Sequence, residues 1–242
     1  MPAASLTPDH RARLLRVGVT EEILDDLDLY DASDQLPAWF AEQGNTLYLG
    51  RGLVFPEWLT ARLTVYPFAD GLVVLASPLQ TLLSLLLGGD GATVFVGAGC
   101  ELTAGQLYCG AGSSIVLHGK VVATGEAMVD ARNGGSVVAE WDQLWAARVY
   151  IATDDMHSLV DVATGVRFNP YGAHIRLGRH VWLGREAIVT GHVEIGESCV
   201  VGLRSLVRGQ KVPPNTAVAG TPARVIREGI TWDGEDRAPL LP

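Results

Sequence analysis

The sequence of 242 residues has few cysteines, few aromatic residues and little charge. It contains three cysteines, 7% aromatic and 19% charged residues, against 28 glycines and 48% hydrophobic residues. Many glycines beside few aromatic side chains favour repeated tight turns over a core of large residues. The cysteines Cys100, Cys109 and Cys199 lack the spacing of a metal site, which suggests a reducing compartment. The length allows one or two packed domains.

Long hydrophobic runs and a signal-peptide pattern are also missing. The longest apolar run, at residues 72–87, is interrupted by Ser77, Pro78 and Gln80. It is too short to cross a bilayer, so we expect no membrane span. The N-terminus has no basic stretch followed by an apolar one. We therefore expect no secretory signal and a cytoplasmic protein.

Positive charge is scarce overall and concentrated towards the C-terminus. The formal net charge is −9, and phosphate repulsion makes such a chain a poor nucleic-acid binder, so we expect no nucleic-acid partner. Residues 1–92 carry 5 basic and 12 acidic side chains, whereas residues 170–230 carry 8 basic and 4 acidic ones. A small polyanionic ligand is therefore expected near the later segment.

What the sequence does contain is a six-residue period from residue 175 onward. Aliphatic residues recur at Leu177, Leu183, Val189, Ile195, Val201 and Val207, and glycine follows at 178, 184, 196 and 202. Neither a helix nor a simple strand has this period, which is that of the hexapeptide repeats of parallel β-helices. Three steps predict an 18-residue triangular coil with stacked inward aliphatics about 4.8 Å apart. The glycines are expected to supply unusual backbone angles at the bends.

The sequence divides into three regions. Residues 93–220 are predicted to form the β-helix, interrupted by a long loop at 154–174 that is expected to be functional. Residues 221–242 are a C-terminal tail. Residues 1–92 look mixed α/β, either a separate domain or a cap over the open end of the coil. In this region we predict a helix over 8–29 with Thr7 as its N-cap, strands at 46–55, 61–68 and 72–76, and a short buried helix at 79–87.

Five motifs carry a resemblance to a known family. They are Asp155-Met156-His157, Asp161-Val162-Ala163-Thr164-Gly165, Asn169-Pro170, Val181-Trp182-Leu183-Gly184, and the closing segment AGTPARVIR at residues 219–227. In this combination the sequence resembles the hexapeptide-repeat acyltransferases, and most of all the bacterial polysaccharide O-acetyltransferases. The resemblance implies a mainly β fold, a left-handed parallel β-helix with an inserted loop. The left hand rests on the resemblance alone, because parallel crossovers are right-handed as a rule.

The resemblance also implies that His157 is the catalytic base. Acyl transfer from a thioester needs a group that takes the acceptor's proton, and imidazole titrates near neutral pH. One of the two neighbouring carboxylates, Asp154 and Asp155, is expected to orient the ring, and Asp155 is the one assigned to support catalysis. Trp182 is placed by the resemblance near the base, in the acetyl-CoA groove. From the residues alone, a lone histidine such as His157 is more often a polar loop residue, and the match to the family motif favours the base. Packing of Trp182 against a neighbouring subunit is also compatible with the sequence and does not exclude the groove.

A groove along parallel coils can bind coenzyme A through backbone groups where the nearby side chains are small. The residues expected to bind acetyl-CoA are Trp182, Gly184, Gly202, Ser205, Arg208, Thr221, Arg224 and Arg227. No metal is expected, because the histidines at 174, 180 and 192 lack the close pair of the zinc enzymes that share this fold and are better explained as solvated corners. Cys100 and Cys199 are predicted to face inward and Cys109 to lie outside that pattern.

The favoured hypothesis is an acetyl-CoA-dependent O-acetyltransferase acting on a sugar hydroxyl of a capsular or O-antigen polysaccharide. The resemblance implies a homotrimer with each active site between two subunits. One alternative is acetyl transfer to a sugar-nucleotide amine or to a small molecule such as an antibiotic. A second alternative is a non-catalytic β-helix scaffold.

Overall fold

The computed structural model describes residues 6–235 and residue 238. Its strands in chain order are β1 Leu29–Asp31, β2 Thr46–Gly50, β3 Leu72–Leu75, β4 Ser84–Gly88, β5 Thr93–Val96, β6 Glu101–Leu102, β7 Gln106–Gly110, β8 Ser114–Leu117, β9 Val121–Ala123, β10 Ala127–Ala131, β11 Ser136–Ala139, β12 Gln143–Trp145, β13 Val149–Ala152, β14 His174–Leu177, β15 Val181–Leu183, β16 Ile188–Thr190, β17 Val193–Ile195, β18 Val200–Val201, β19 Leu206–Arg208, β20 Lys211–Val212, β21 Thr216–Gly220 and β22 Ala223–Glu228. The helices are α1 Pro8–Arg16, α2 Glu21–Asp25, α3 Trp39–Glu42 and α4 Glu57–Leu63, with a 3₁₀ turn at Ser33–Gln35. None of the helices in the described part of the chain is long and apolar enough to cross a membrane.

The strands stack into three sheets, which form the three sides of a parallel β-helix. Sheet A has the order β1-β2-β3-β5-β8-β11-β14-β17-β20, sheet B the order β4-β7-β10-β13-β16-β19, and sheet C the order β6-β9-β12-β15-β18-β21-β22. Neighbouring strands are parallel, except that β1 is antiparallel to β2 and β22 to β21. Aliphatic side chains from all three sheets fill one continuous core. The prediction of a mainly β, parallel β-helix is confirmed.

The coils before the insert are longer than those after it. Partners in neighbouring coils lie 18 residues apart directly after the insert, as Ile175 and Val193 do, and 17 apart at the last coil, as Ile195 and Val212 do. Before it they lie 22 residues apart at Leu107 and Val129. The strands of sheets A and B have four or five residues from β3 to β13 and two or three from β16 onward, so the upstream sides are longer. The six-residue period is therefore irregular upstream, although coils are present. Parallel stacking in sheet A begins at β2, well before residue 93.

The glycines of the hexapeptides allow neighbouring coils to approach closely. A Cβ on Gly184 would lie 2.7 Å from the carbonyl oxygen of Val201, and one on Gly196 would lie 2.5 Å from the nitrogen of Pro214. The positive-φ backbone falls two residues after each of the glycines at 178, 184, 196 and 202, at His180, Glu186, Ser198 and Arg204. The expectation that these glycines supply unusual backbone angles is therefore wrong, because residues with side chains adopt those angles instead.

The N-terminal helix is divided in two. The Thr7 hydroxyl accepts a hydrogen bond from the backbone nitrogen of His10 at 3.1 Å, which confirms the predicted N-cap. Gly18, with φ of +106°, then separates α1 from α2, so the predicted helix over 8–29 is wrong in its extent. Both helices cover the outer face of sheet A, where Leu14 packs in one cluster with Phe95.

Two further predictions for the first 92 residues are wrong. The segment predicted as a strand at 61–68 begins inside helix α4, in which Leu59 and Leu63 are buried at the four-residue spacing of a helix face. The predicted buried helix at 79–87 instead contains β4, whose Leu85 and Leu87 alternate inward. Short apolar runs do not distinguish a buried strand from a buried helix by hydrophobicity.

All three cysteines are buried thiols. Cys109 faces the core and its Sγ donates to the carbonyl oxygen of Ser113 at 3.2 Å, so the prediction that it lies outside the inward pattern is wrong. Tyr108 takes the outward position, with the Arg132 guanidinium 3.9 Å from its ring centre. Burial raises the pKa of the Cys100 and Cys109 thiols to about 12, which leaves them protonated and unreactive at neutral pH.

Candidate active site

The insert lies at the corner where sheet B leads into sheet A, between β13 and β14. Val160 and Arg167 form an isolated antiparallel bridge within it. The Asp161 carboxylate accepts hydrogen bonds from the hydroxyl and the backbone nitrogen of Thr164, each at 2.8 Å. These bonds from Thr164 lower the pKa of Asp161. The Asp-x-x-Thr-Gly motif therefore builds the hairpin turn of the insert.

His157 is exposed and its backbone is held on both sides. Its backbone nitrogen donates to the carbonyl oxygen of Asp155 at 2.8 Å. Its carbonyl oxygen accepts from Nδ2 of Asn169 at 2.9 Å, and Oδ1 of the same Asn169 accepts from the backbone nitrogen of Leu159 at 2.9 Å. Asn169 is buried. No residue in the described part of the chain forms a hydrogen bond with the His157 ring, so the imidazole is open to a substrate.

The Asp155 carboxylate forms hydrogen bonds with groups other than the His157 ring. Its Oδ2 accepts from Nη2 of Arg208 at 3.0 Å and from Nδ2 of Asn169 at 3.2 Å. Arg208 ends β19, two coils beyond Ala152 in sheet B. The structure thus brings Arg208, expected to bind acetyl-CoA, to the insert rather than to the other residues expected in that groove.

A buried carboxylate ties the two ends of the insert together. The Asp154 side chain is fully buried and accepts from the backbone nitrogen of Gly172 at 3.1 Å and from Arg167 at 3.4 Å. Arg167 also donates to the carbonyl oxygen of Pro170 at 2.6 Å and lies over the ring of Tyr171. Neither the role of Asn169 as a clamp nor that of Arg167 as an anchor is predicted from the sequence. The signal for Asn169 was its place in the Asn-Pro motif, whereas Arg167 had none.

Trp182 faces outward from sheet C, as predicted, with 38% of its surface exposed. It pairs with Leu144 on one side and with Val200 on the other. This outward row is therefore apolar, and the indole is its largest member.

The small residues expected to bind acetyl-CoA lie together at the corner where sheet C leads into sheet B. The backbone N–H groups of Gly184 and Gly202 donate hydrogen bonds to the carbonyl oxygens of Val201 and Val218 in the next coil, at 2.7 and 2.8 Å. The buried Ser205 hydroxyl accepts from the backbone nitrogen of Gly220 at 3.1 Å, and the Thr221 hydroxyl donates to a carbonyl oxygen at 3.3 Å. The Ser205 and Thr221 side chains thus bond the corner itself, while Arg185, Leu203 and Arg204 beside them are exposed.

Arg224 and Arg227 lie on β22, beside the last parallel strand of sheet C. They pair in register with Ala219 and Ala217, and both are exposed. Within the described residues neither guanidinium forms an ion pair. Two positive charges are therefore available to an anion beside the corner that holds Gly202.

The remaining histidines do not form a metal site. His174 and His192 lie on adjacent coils with ring centres 5.7 Å apart, as their 18-residue spacing predicts. His180 lies at a different corner, where its ring stacks on Trp232 at 4.1 Å and its Nδ1 lies 2.7 Å from Asp142. His180 is thus not merely a solvated corner, since it holds the C-terminal segment. Among residues 6–235, no cluster of three His, Cys, Asp or Glu side chains could hold a metal ion.

The predicted site residues fall at opposite ends of sheet B. The insert corner holds His157, Asp155 and Arg208, and the other corner holds Gly184, Gly202, Ser205 and Thr221. The downstream strands of sheet B have three residues each, which corresponds to about 10 Å of strand between the corners. One chain therefore does not bring the base and the expected groove together.

No protein-family model matches the chain. Over 58 residues it is 41% identical to galactoside O-acetyltransferase of Escherichia coli K12, which covers 24% of this chain and 28% of that protein. Over 102 residues it is 35% identical to WbbJ of the same organism, named as a lipopolysaccharide biosynthesis O-acetyl transferase, covering 38% of this chain and 50% of that protein. The relatives of this chain are hexapeptide-repeat acetyltransferases. The matched stretches span half or less of these relatives.

A solved structure shows the same fold over most of the chain. The polySia-specific acetyltransferase NeuO superposes with a TM-score of 0.64 at 24% identity, covering 72% of this chain and 80% of that one. This likeness confirms the predicted left-handed parallel β-helix with its inserted loop. The hexapeptide-repeat acetyltransferases are thus similar to this chain both in sequence, over the repeat region, and in fold.

Proposed function

We propose that the protein is an acetyl-CoA-dependent O-acetyltransferase that modifies a sugar hydroxyl of a capsular or O-antigen polysaccharide. The observation that carries the proposal is His157, an exposed imidazole on a backbone segment fixed by the buried Asn169. Two of the curated relatives are named as O-acetyltransferases of galactosides and of lipopolysaccharide biosynthesis, and others as chloramphenicol and serine acetyltransferases. The first two names support a saccharide hydroxyl as the acceptor.

The proposed reaction needs one group that takes up and returns a proton. His157 accepts the proton of the acceptor hydroxyl as its oxygen attacks the carbonyl carbon of the acetyl thioester. The new C–O bond forms and the C–S bond breaks. The imidazolium then returns the proton to the leaving sulfur, so His157 ends neutral and no acyl-enzyme forms. Within residues 6–235 neither nitrogen of the His157 ring has a hydrogen-bond partner, so neither has to give one up before this exchange.

Asp155 supports this base through the backbone. Its carboxylate is engaged by Arg208 and Asn169, and Asn169 also holds the His157 carbonyl. We assign Asp155 the role of keeping the segment in place rather than of contacting the ring. Arg208 forms an ion pair with this carboxylate and neutralises its negative charge. Its guanidinium is also exposed enough to meet a substrate anion.

Acetyl-CoA is proposed to lie along the corner between sheets C and B. Gly184, Gly202, Ser205 and Thr221 leave room there for the pantetheine chain, and Trp182 flanks it on sheet C. Arg224 and Arg227 supply charge for the phosphates. Because this corner and His157 lie at opposite ends of sheet B, we propose a homotrimer in which the base of one subunit faces the groove beside the next.

The regions outside the β-helix have proposed roles of a different kind. We propose that helices α3 and α4, whose Phe40, Leu59 and Leu63 join the core, cap the first end of the coil, that the stacked coils carry the chemistry and that strand β22 flanks the acetyl-CoA groove. The three free thiols and the need for acetyl-CoA support action in the cytoplasm.

The test is transfer of acetyl groups to oligosaccharides by the wild type and by His157→Ala, with His192→Ala as the matched control. His192 is an exposed histidine on a coil outside the insert. We expect transfer to fall by roughly 100-fold or more in His157→Ala, the usual contribution of a general base, and to stay unchanged in the control. Wild-type transfer rates in a folded, trimeric His157→Ala would refute the assignment. Absence of coenzyme A binding by calorimetry would point to a non-catalytic scaffold.

A further inference from the structure

A cavity of about 650 Å³ lies between the N-terminal helices and the corner where sheet A leads into sheet C. One wall is the segment from Gly18 to Asp26, and the opposite wall includes Trp141 and Arg179. Its volume lies in the range of small-ligand sites. None of its lining residues belongs to the acetyl-transfer site proposed above.

The cavity forms where the outer face of sheet A changes from apolar to charged. Val138 faces outward beneath the helices, and a Cβ on Gly18 would lie only 3.3 Å from it. The next residue in the same outward row is Arg176, the register partner of Val138. The helices cover the row as far as Val138, so Arg176 opens into the space beyond them. His118 fixes the edge of the helical layer, because its Nε2 lies within hydrogen-bond distance, 2.7 Å, of the carbonyl oxygen of Gly18.

The two arginines of the cavity differ in their partners. Arg176 pairs with Glu140. Arg179 is exposed and, within residues 6–235, its guanidinium has neither an ion pair nor a hydrogen bond. Arg179 is therefore the cation that is free to bind a ligand. Trp141 beside it offers a flat apolar ring, over which the amino group of Lys120 lies at 5.9 Å.

The acidic wall limits the charge that a ligand can carry. Glu22 and Asp26 line the helical side and Glu140 the other, so three carboxylates face two guanidinium groups. A polyphosphate, which places several negative charges within a few ångströms of one another, would be repelled by this lining, whereas an acidic saccharide places only one charge on each sugar unit. A molecule with several hydroxyls and one carboxylate per unit fits it, because carboxylates accept hydrogen bonds from hydroxyls and Arg179 can bind the carboxylate in a bidentate manner.

We propose that this cavity binds an acidic saccharide, with its carboxylate at Arg179, its hydroxyls at Glu22 and Asp26, and a sugar ring against Trp141. Resting on the proposed function, this saccharide is a unit of the acceptor polymer, held away from His157. The N-terminal region would then select the acceptor by its charge, while the β-helix performs the transfer.

Calorimetric titration of the full chain, without acetyl-CoA, tests this inference. The probes are trimers of galacturonic acid and of N-acetylneuraminic acid, each compared with its methyl ester. We expect an acidic trimer to bind the wild type and its ester to bind at least about tenfold more weakly, the factor that one charge-assisted hydrogen bond supplies. Failure of both acidic trimers to bind, or equal binding of acid and ester, would overturn the proposal.

Two variants locate the binding. Arg179→Gln is expected to lose about the same factor of ten, whereas Arg62→Gln, an exposed arginine on α4, is expected to bind like the wild type. Ile23→Trp keeps both cavity arginines but fills the space from α2, and we expect it to abolish binding. Unchanged affinity in Arg179→Gln would place the ligand elsewhere on the protein.

The outcome is separable from that of the proposed function. If saccharide binding depends on Arg179 but the protein transfers no acetyl groups, the proposed acetyltransferase function is refuted and the proposed saccharide site in the cavity is supported. If the wild type and Arg179→Gln transfer acetyl groups to an acidic oligosaccharide with the same KM, the proposed saccharide site in the cavity is refuted and the proposed acetyltransferase function is supported. Transfer to a monosaccharide acceptor is expected to be equal in both proteins, because the cavity lies apart from the reacting groups.

Discussion

Truncation of one buried amide should disable the insert while leaving the β-helix folded. The Asn169 side chain is 7% exposed and bonds the carbonyl oxygen of His157, the backbone nitrogen of Leu159 and the carboxylate of Asp155. At about 1 kcal/mol for each hydrogen bond, Asn169→Ala removes roughly 3 kcal/mol from the closed form of the insert. The insert is a loop outside the core, so we expect this loss to appear as local opening rather than as global unfolding.

Two measurements on Asn169→Ala follow from this reasoning. Acetyl transfer should fall by roughly 100-fold, the cost of misplacing a catalytic group by about an ångström. Amide hydrogen exchange at Leu159, whose N–H is bonded by Asn169 in the wild type, should accelerate strongly while exchange in the core strands stays unchanged. Both measurements use the full chain under native conditions.

Asn45→Ala is the matched control for this variant. Asn45 is 3% exposed and its amide also bonds backbone on both sides, donating to Phe68 at 2.8 Å and accepting from Gly71 at 2.6 Å. It lies far from the insert, so its truncation should lower the melting temperature and leave kcat of the folded protein unchanged. A wild-type kcat in Asn169→Ala, together with retained protection of Leu159, would refute the proposed clamp.

The close approach of coils and the buried thiols give two further predictions. Gly184→Ala should destabilise the protein by about 1–3 kcal/mol in chemical unfolding, because its Cβ would lie 2.7 Å from the Val201 oxygen, whereas Gly234→Ala, with nothing within 4 Å, should be neutral. Equal stability of these two variants would contradict the packing argument. The pKa of the Cys100 and Cys109 thiols rises from 9.0 to about 12 on folding, so their contribution to the free energy of unfolding is complete below pH 9 and is lost as the pH rises towards 12. Denaturant titrations from pH 8 to 11 should show this fall in the wild type and a smaller one in Cys109→Ala, and identical slopes in both proteins would contradict it.

Part of the fold follows directly from the sequence because the later coils are short. Between β14 and β19 each step has six residues, so an inward aliphatic such as Val189 lies 18 positions from its partner Val207. The upstream coils add residues to the sides in sheets A and B, which destroys the period without changing the stacking. The prediction of a helix at 79–87 is wrong for the same reason, because the continuous leucines of β4 carry no six-residue pattern.

The candidate site could be predicted less completely than the fold. Motif spacing predicts a site at His157 and the insert around it, because the motif residues lie close together in the chain. The bond between Arg208 and Asp155 joins residues 53 positions apart and arises only because β19 and β13 share sheet B. The contact between His180 and Trp232 spans 52 positions and depends on the return of the C-terminal segment. Neither has a local sequence signal.

The antiparallel strands β1 and β22 have a consequence for the length of the molecule. A parallel coil can in principle continue indefinitely, because each edge presents free N–H and C=O groups to one more coil. Here β1 occupies the first edge of sheet A and β22 the last edge of sheet C, each running in the opposite direction. A further strand that runs in the direction of the coils would have to pair antiparallel at either position. The two strands therefore interrupt the parallel stacking in one sheet at each end and oppose the regular addition of coils from another molecule.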